Sequence, residues 1–290
     1  MYKIYAFLKR NPNLTHDEYR AGHVGYHCGQ SRRLKDIRGY LVNIWANEPL
    51  RNKVGPWLAD VTHNEPAGFL DIWDGFPEVF FDDRLSWTEA RNVEPNRAMA
   101  EGLVVDPDWD LGDSPHLFRP TPDDPTKFCA HHLHMLEFVA LPVRRPEFKI
   151  AKIMHFFKRR ADLEETEFAR IWAEDYLPLA ASMPGLRGYI GNLRDADQEA
   201  ALHGFFPPDD WVFSADGTAE RRAFCDLWDG ASELFFNRVA DFGDARRAPQ
   251  LADRLHELER AMFEASWYVE VDENLIVNPN RDPAPEFYFR

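Results

Sequence analysis

Cysteine is scarce in this chain of 290 residues. Cys28, Cys129 and Cys225 are an odd number, far apart, and form no C-x-x-C unit. Neither a disulfide framework nor a thiolate zinc site is indicated. No run approaches the roughly 18 consecutive apolar residues of a membrane span. The opening MYKIYAFLKR lacks the basic-then-apolar order and small-residue cleavage site of a signal peptide, so a cytoplasmic protein is expected. Positive charge is in deficit: 34 Lys and Arg against 49 Asp and Glu leave a formal charge of −15. That balance weighs against nucleic acid and membrane surfaces as partners. No G-x-G-x-x-G opens a helix after a strand, and there is no phosphate loop or G-x-S-x-G elbow. Nucleotide, flavin and nicotinamide cofactors and serine-hydrolase chemistry are therefore not indicated.

Aromatics, by contrast, are abundant: 22 Phe, 9 Tyr and 9 Trp. Core packing takes some of them, and a pocket for a planar, apolar ligand is the other natural use.

The chain also repeats itself. Residues 3–10, KIYAFLKR, return at 152–159 as KIMHFFKR, an offset of 149. Leu14, Glu18 and Tyr19 map to Leu163, Glu167 and Phe168. Arg38-Gly39-Tyr40 maps to Arg187-Gly188-Tyr189, and Asn43 to Asn192. The offset then becomes 155: FLDIWDG at 69–75 matches FCDLWDG at 224–230, and Glu78-Val79-Phe80-Phe81 matches Glu233-Leu234-Phe235-Phe236. Two changes in loop length account for the shift. Two units follow, 1–145 and 146–290.

Each unit reads as a strand (2–8, 151–157), a helix (15–34, 164–182) and a second strand (37–46, 186–193). A third strand carries D-x-W-D-G, a second helix starts near Phe76 or Ser232, and a last strand lies at 131–139 or 267–272. Thr15 with Glu18 predicts a capping box. Tyr19, His23, Tyr26, Gln30 and Leu34 share one helical face, as do Phe168, Trp172, Asp175, Leu179 and Met183. The fold class is α+β: tandem β-α-β-β-α-β, or ferredoxin-like, units. Their sheets are expected to close face to face around a chamber, forming a barrel within one chain. The long segments 104–130 and 195–220 are expected to cover its mouth. The tail ending in Phe287-Tyr288-Phe289-Arg290 could pack back on the body or pair the chain in a homodimer.

Phe7-Leu8-Lys9-Arg10, Pro12, Leu14, Glu18, Tyr19, His27, Gly39 and Tyr40 resemble the EthD domain family of dimeric α/β-barrel proteins. Phe157-Lys158-Arg159, Leu163, Glu167, Phe168, Trp172, Pro178, Pro184-Gly185-Leu186 and Tyr189 repeat the resemblance. It implies the barrel fold and a role in small-molecule catabolism or tailoring. The family commonly carries W-x-x-x-H-x-P on its first helix. Repeat 1 has His23 for the Trp, keeps His27 and has Gly29 for the Pro. Repeat 2 keeps Trp172 and Pro178 but has Tyr176 for the His.

The candidates for chemistry follow. His27 is the principal acid/base, since an imidazole exchanges protons near neutral pH; His23 or His155 assists. Tyr176 would steady an oxyanion in the same chamber. Trp172, Asp175, Trp45, Tyr40, Asn43, His132 and His134 are the candidate substrate contacts. His131, His132 and His134 with His23 and His27 could hold a metal ion, but no carboxylate is spaced with them, and a hydrogen-bonding cluster is the simpler reading. The function expected is a lyase acting on a small aromatic compound without cofactor or metal, by loss of water, CO2 or an aldehyde fragment. The alternatives are a monooxygenase, cofactor-free or metal-assisted, and a non-catalytic binding protein.

Overall fold

The computed structural model describes residues 1–90, 114–125, 127–249 and 251–279. Eight antiparallel strands form one closed barrel. They are β1 (Tyr2–Leu8), β2 (Gly39–Trp45), β3 (Gly75–Phe81), β4 (Ala130–Leu141), β5 (Ala151–Arg159), β6 (Leu186–Arg194), β7 (Gly230–Phe236) and β8 (Phe263–Val277). The ring runs β1-β3-β2-β8-β5-β7-β6-β4. The order β4-β1-β3-β2 recurs as β8-β5-β7-β6, and the halves join through β2–β8 and β4–β6. The sheets thus meet edge to edge, not face to face. Closure leaves no exposed edge strand.

Two expected elements are corrected. Residues Phe69–Ile72 and Ala215–Cys225 are helical, so D-x-W-D-G is a helix-to-strand turn rather than a strand. Phe76 and Ser232 lie in β3 and β7, and the helices that follow are Arg84–Thr88 and Val239–Arg246. The motif's second Asp is the one that ties the turn down. Asp74 accepts from the Arg10 backbone at 2.9 Å, and Asp229 from the Arg159 backbone at 2.8 Å. Gly75 is required for its φ of +152° and because a Cβ there would meet the Asn43 carbonyl oxygen at 2.2 Å.

Thr15 and Glu18 form the capping box, with Glu18 N donating to Thr15 Oγ1 at 3.2 Å and Thr15 N to Glu18 Oε2 at 2.8 Å. The helix runs His16–Gly22, passes through a π turn at His23–His27 and resumes at Cys28–Ser31. The second repeat has the same interruption, at Trp172–Tyr176. A π turn winds more slowly than an α turn, so residues beyond it fall out of the 3.6 period. His23, His27 and Ser31 consequently face inward, while Tyr26 and Asp175 are exposed.

Strands β1, β2, β3 and β7 are buried along their whole length, on both faces. One face looks into the barrel and the other onto helices. The interior is filled rather than hollow. At one end Phe7, Trp45, Trp73, Phe76, Phe156, Phe224, Trp228 and Trp267 pack together. The middle holds four fully buried charges in a ring. Lys3 meets Glu78 at 3.0 Å and also Glu233; Lys152 meets Glu233 at 2.9 Å and also Glu78. Asn43 and Asn192 donate to Glu78 and Glu233 at 2.8 and 3.0 Å. Burial opposes the charge on each Lys, but the flanking carboxylates outweigh it and raise both pKa values. Burial likewise opposes the charge on Glu233, and the two ammonium groups overcome it and lower its pKa.

Candidate functional site

The cavity lies outside the barrel, between the outer face of β1, β2 and β3 and the first helix. The cavity has a volume of about 60 Å3, against roughly 10–15 Å3 needed for one water. Its polar lining is His27, Ser31, Tyr40 and His132; its apolar lining includes Ala6, Leu8, Pro77, Val79, Trp87, Phe118, Phe128, Phe205 and Phe206. Phe118 and Phe128 belong to the first long segment and Phe205 and Phe206 to the second, so both supply wall. Residues 104–113 of the first lie outside the described residues.

The π turn delivers His27 to this space. Its Nε2 is 3.0 Å from Ser31 Oγ, one turn on, and its ring stands edge to face against Phe118 at 4.9 Å. His23 sits behind it, Nδ1 3.0 Å from the Tyr19 hydroxyl, with its ring 5.2 Å from that of His27. Burial, then the neighbouring His27, holds the His23 pKa well below the ordinary imidazole range, so it stays neutral. His132 reaches the cavity from β4, where it opposes Ala6 of β1.

The other histidines of that strand point elsewhere. His131 faces the barrel interior beside Trp73, and burial drives its pKa down to about 3. His134 bonds Asp195 at 2.9 Å and stacks on Tyr2. Among the described residues no three His, Cys, Asp or Glu side chains converge as a metal-holding group.

His27 and Tyr176 do not share a chamber, which corrects the pairing expected above. The first helix covers β1 and the corresponding helix covers β5, four strands away on an eight-strand ring. The equivalent space in the second half is filled. Where β1 has Ala6, β5 has His155, whose Nε2 is 2.8 Å from Ser266 Oγ and whose Nδ1 is 3.2 Å from the Tyr176 hydroxyl. Tyr176 and Tyr268 donate to Glu259 at 3.1 and 3.2 Å, and Arg246 pairs with Glu259 at 2.8 Å. Burial first, then Arg246, keeps the His155 pKa far below its usual value. This is a buried polar network that takes up the space. Tyr176→Phe is expected to cost about 1–3 kcal/mol by stripping hydrogen bonds from buried His155 and Glu259, read from urea denaturation, and to leave ligand binding in the first half unchanged.

The remaining candidates divide the same way. Tyr40 and His132 line the cavity with His27. Trp172 is buried against Gly191 in the second half, where a Cβ would lie 2.7 Å from its ring. Trp45 and Asn43 face the barrel interior, and Asp175 is at the surface. Sequence reasoning missed Ser31, Trp87 and the four phenylalanines of the wall. It also missed the role of Lys3, Lys152, Glu78 and Glu233, although a charge recurring in register inside apolar strands was the available signal.

No helix among the described residues is long and apolar enough to cross a membrane. No protein-family model matches the chain, and no curated protein sequence does. Among solved structures it is similar to a protein of Fusobacterium nucleatum subsp. nucleatum provisionally named a monooxygenase, at 8% identity over 97% of this chain and 94% of that one, TM-score 0.49. It is similar to a protein of Lactobacillus acidophilus, also provisionally named a monooxygenase, at 9% identity over 94% of each chain, TM-score 0.46. It is similar too to an anthrone oxidase-like protein, at 7% identity over 98% of this chain and 96% of that one, TM-score 0.47.

Proposed function

We propose that the chain is an enzyme that takes a proton from a small aromatic compound at His27 and lets the resulting anion react with molecular oxygen, as a cofactor-independent monooxygenase. The observation that carries this reading is the cavity with an apolar, aromatic lining, in which His27 faces the space without Tyr176. The lyase reading drew on a base and a phenol acting together, and that pair is split between the two halves. A decarboxylase also needs a counter-charge for its substrate, and no Lys or Arg lines the cavity among the described residues. Deprotonation asks only for a positioned base, and an apolar wall suits both a delocalised carbanion or phenolate precursor and O2.

Without an added reductant the substrate itself must supply the electrons. An activated CH2 that becomes C=O does so: one oxygen atom enters the product and the other leaves as water with the two hydrogens. The substrate class is therefore an aromatic ketone or phenol with an acidified methylene. Support for tandem ferredoxin-like units of EthD type, dividing near residue 145, comes from the recurring strand order and the 149 and 155 offsets.

The test is oxygen consumption with a panel of such compounds, with 18O2 to follow the label. One labelled atom per product, with turnover surviving a chelator, is the expected result. Equal turnover under argon would sink oxygenation and return the lyase reading.

A further inference from the structure

The cavity beside His27 is smaller than the ring it is proposed to take. It measures about 60 Å3, against roughly 150 Å3 for an engineered apolar cavity that admits benzene. Part of the wall must therefore give way when a ring enters. Most of the wall is tied down. Strands β1, β2 and β3 are each paired on both sides. Phe118, Phe128 and Phe206 each sit in a β-bridge, and Trp87 lies in the helix Arg84–Thr88. Phe205 is the exception among the aromatic wall residues. It stands on the turn between His203 and Phe206, at the rim, 8% exposed.

Phe205 lies flat on Trp87, with ring centroids 3.7 Å apart and planes 8° from parallel. Both rings line the cavity. Such a sandwich sets two electron-rich faces against each other, and aromatic pairs prefer offset or edge-on contacts at about 4.5–7 Å. The turn holds Phe205 in this place. Gly204 has a φ of +90°, and a Cβ on it would lie 2.9 Å from the side chain of Thr88, the neighbour of Trp87. In the second half the residue matching Trp87, 155 positions on, is Phe242. A loop of the other repeat covers it too, through Trp57, but at 5.7 Å and tilted by 50°. The flat stack is a feature of the half that carries His27.

We propose that Phe205 occupies the place of the substrate's ring: a planar aromatic group displaces it and lies on the face of Trp87, beside His27. Phe205 then sets which rings are admitted, and Trp87 is the platform that receives them. The His132 ring, 5.7 Å from that of Trp87 and 5.8 Å from that of Phe205, flanks the same slot. That the entering ring belongs to an aromatic ketone rests on the function proposed above; the ring-sized slot under Phe205 does not.

The experiment is titration calorimetry of 1-tetralone, a bicyclic aryl ketone, into the full chain under argon, so that binding is read without turnover. Phe205→Ala should bind it about 2- to 10-fold more tightly than the wild type, because no Phe205–Trp87 pair has to be broken. Phe205→Leu keeps an apolar side chain on the turn and should shift affinity the same way, which guards against an alanine variant that folds poorly. In the wild type and in both variants, nuclear Overhauser contacts should run from the tetralone aromatic protons to the Trp87 indole. Unchanged or weaker binding in both variants, or bound tetralone with no contact to Trp87, would overturn the slot. Oxygen uptake in air separates this idea from the reaction. Binding on Trp87 with no uptake by any compound of the class leaves the slot standing and removes the proposed reaction. Uptake with the same KM in wild type and Phe205→Ala leaves the reaction standing and removes the slot.

Discussion

Replacing Lys152 by methionine is expected to lower the free energy of unfolding by about 3–5 kcal/mol. The Lys152 ammonium sits at 0% exposure between Glu78 and Glu233, also at 0%. Its loss strands carboxylates inside the barrel with Lys3 as their remaining partner in the ring. A domain is stable by about 5–15 kcal/mol in all, so the change is a large part of the total and should be plain in urea denaturation. Lys152→Met combined with Glu233→Met should recover much of the loss, because paired charges replaced by apolar groups cost little. If Lys152→Met unfolds at the wild-type midpoint, the ring is not what holds the barrel's centre. The pH dependence has a definite sign. Glu233 has a folded pKa below its ordinary 4.5, so its stabilisation is present above about pH 4.5 and declines as pH falls below it. Lys3 and Lys152 have folded values above their ordinary 10.5, so theirs is present below about pH 10.5 and declines above it. Between these limits the ring contributes a plateau.

His27→Ala should reduce turnover by about 100-fold or more, the usual worth of a general base, with the melting curve little changed. The side chain stands at a cavity wall, so truncation enlarges a space that already exists. Tyr176→Phe is the matched control. It lies at the same repeat position on the opposite side of the barrel, and its effect should fall on stability and not on rate. Full activity in His27→Ala would move the base to His132, the other imidazole of the wall.

Local chemistry wrote much of this molecule legibly. The K-I-x-x-F-x-K-R and D-x-W-D-G pairs marked the duplication because each does the same work twice: Arg10 with Asp74 and Arg159 with Asp229 anchor the same turn. Thr15 and Glu18 announced a helix start, and His27 stood out as the imidazole kept at a position where the other repeat has a phenol. The inward face of that helix was less legible. Tyr26 and Asp175 fitted a 3.6 period, and the π turns at 23–27 and 172–176 broke it.

Strand direction was the harder limit. Alternation reveals which face is buried only when the other face meets water. Here both faces are covered, so Ala6, His155, Asn43 and Trp45 carried no mark of whether they looked into the barrel or out to a helix. Composition, repeat and motif determined that two similar halves would build an α+β molecule, with neither a disulfide framework nor a thiolate zinc site indicated. The closed ring of strands alone decided that the centre would be charged and packed, that the two first helices would lie on opposite sides, and that the space beside His27 would stay open while its counterpart is filled. The reason is geometric: Ala6 leaves room beside His27, whereas His155 fills the equivalent place beside Tyr176, and only the folded barrel brings each residue to its neighbour.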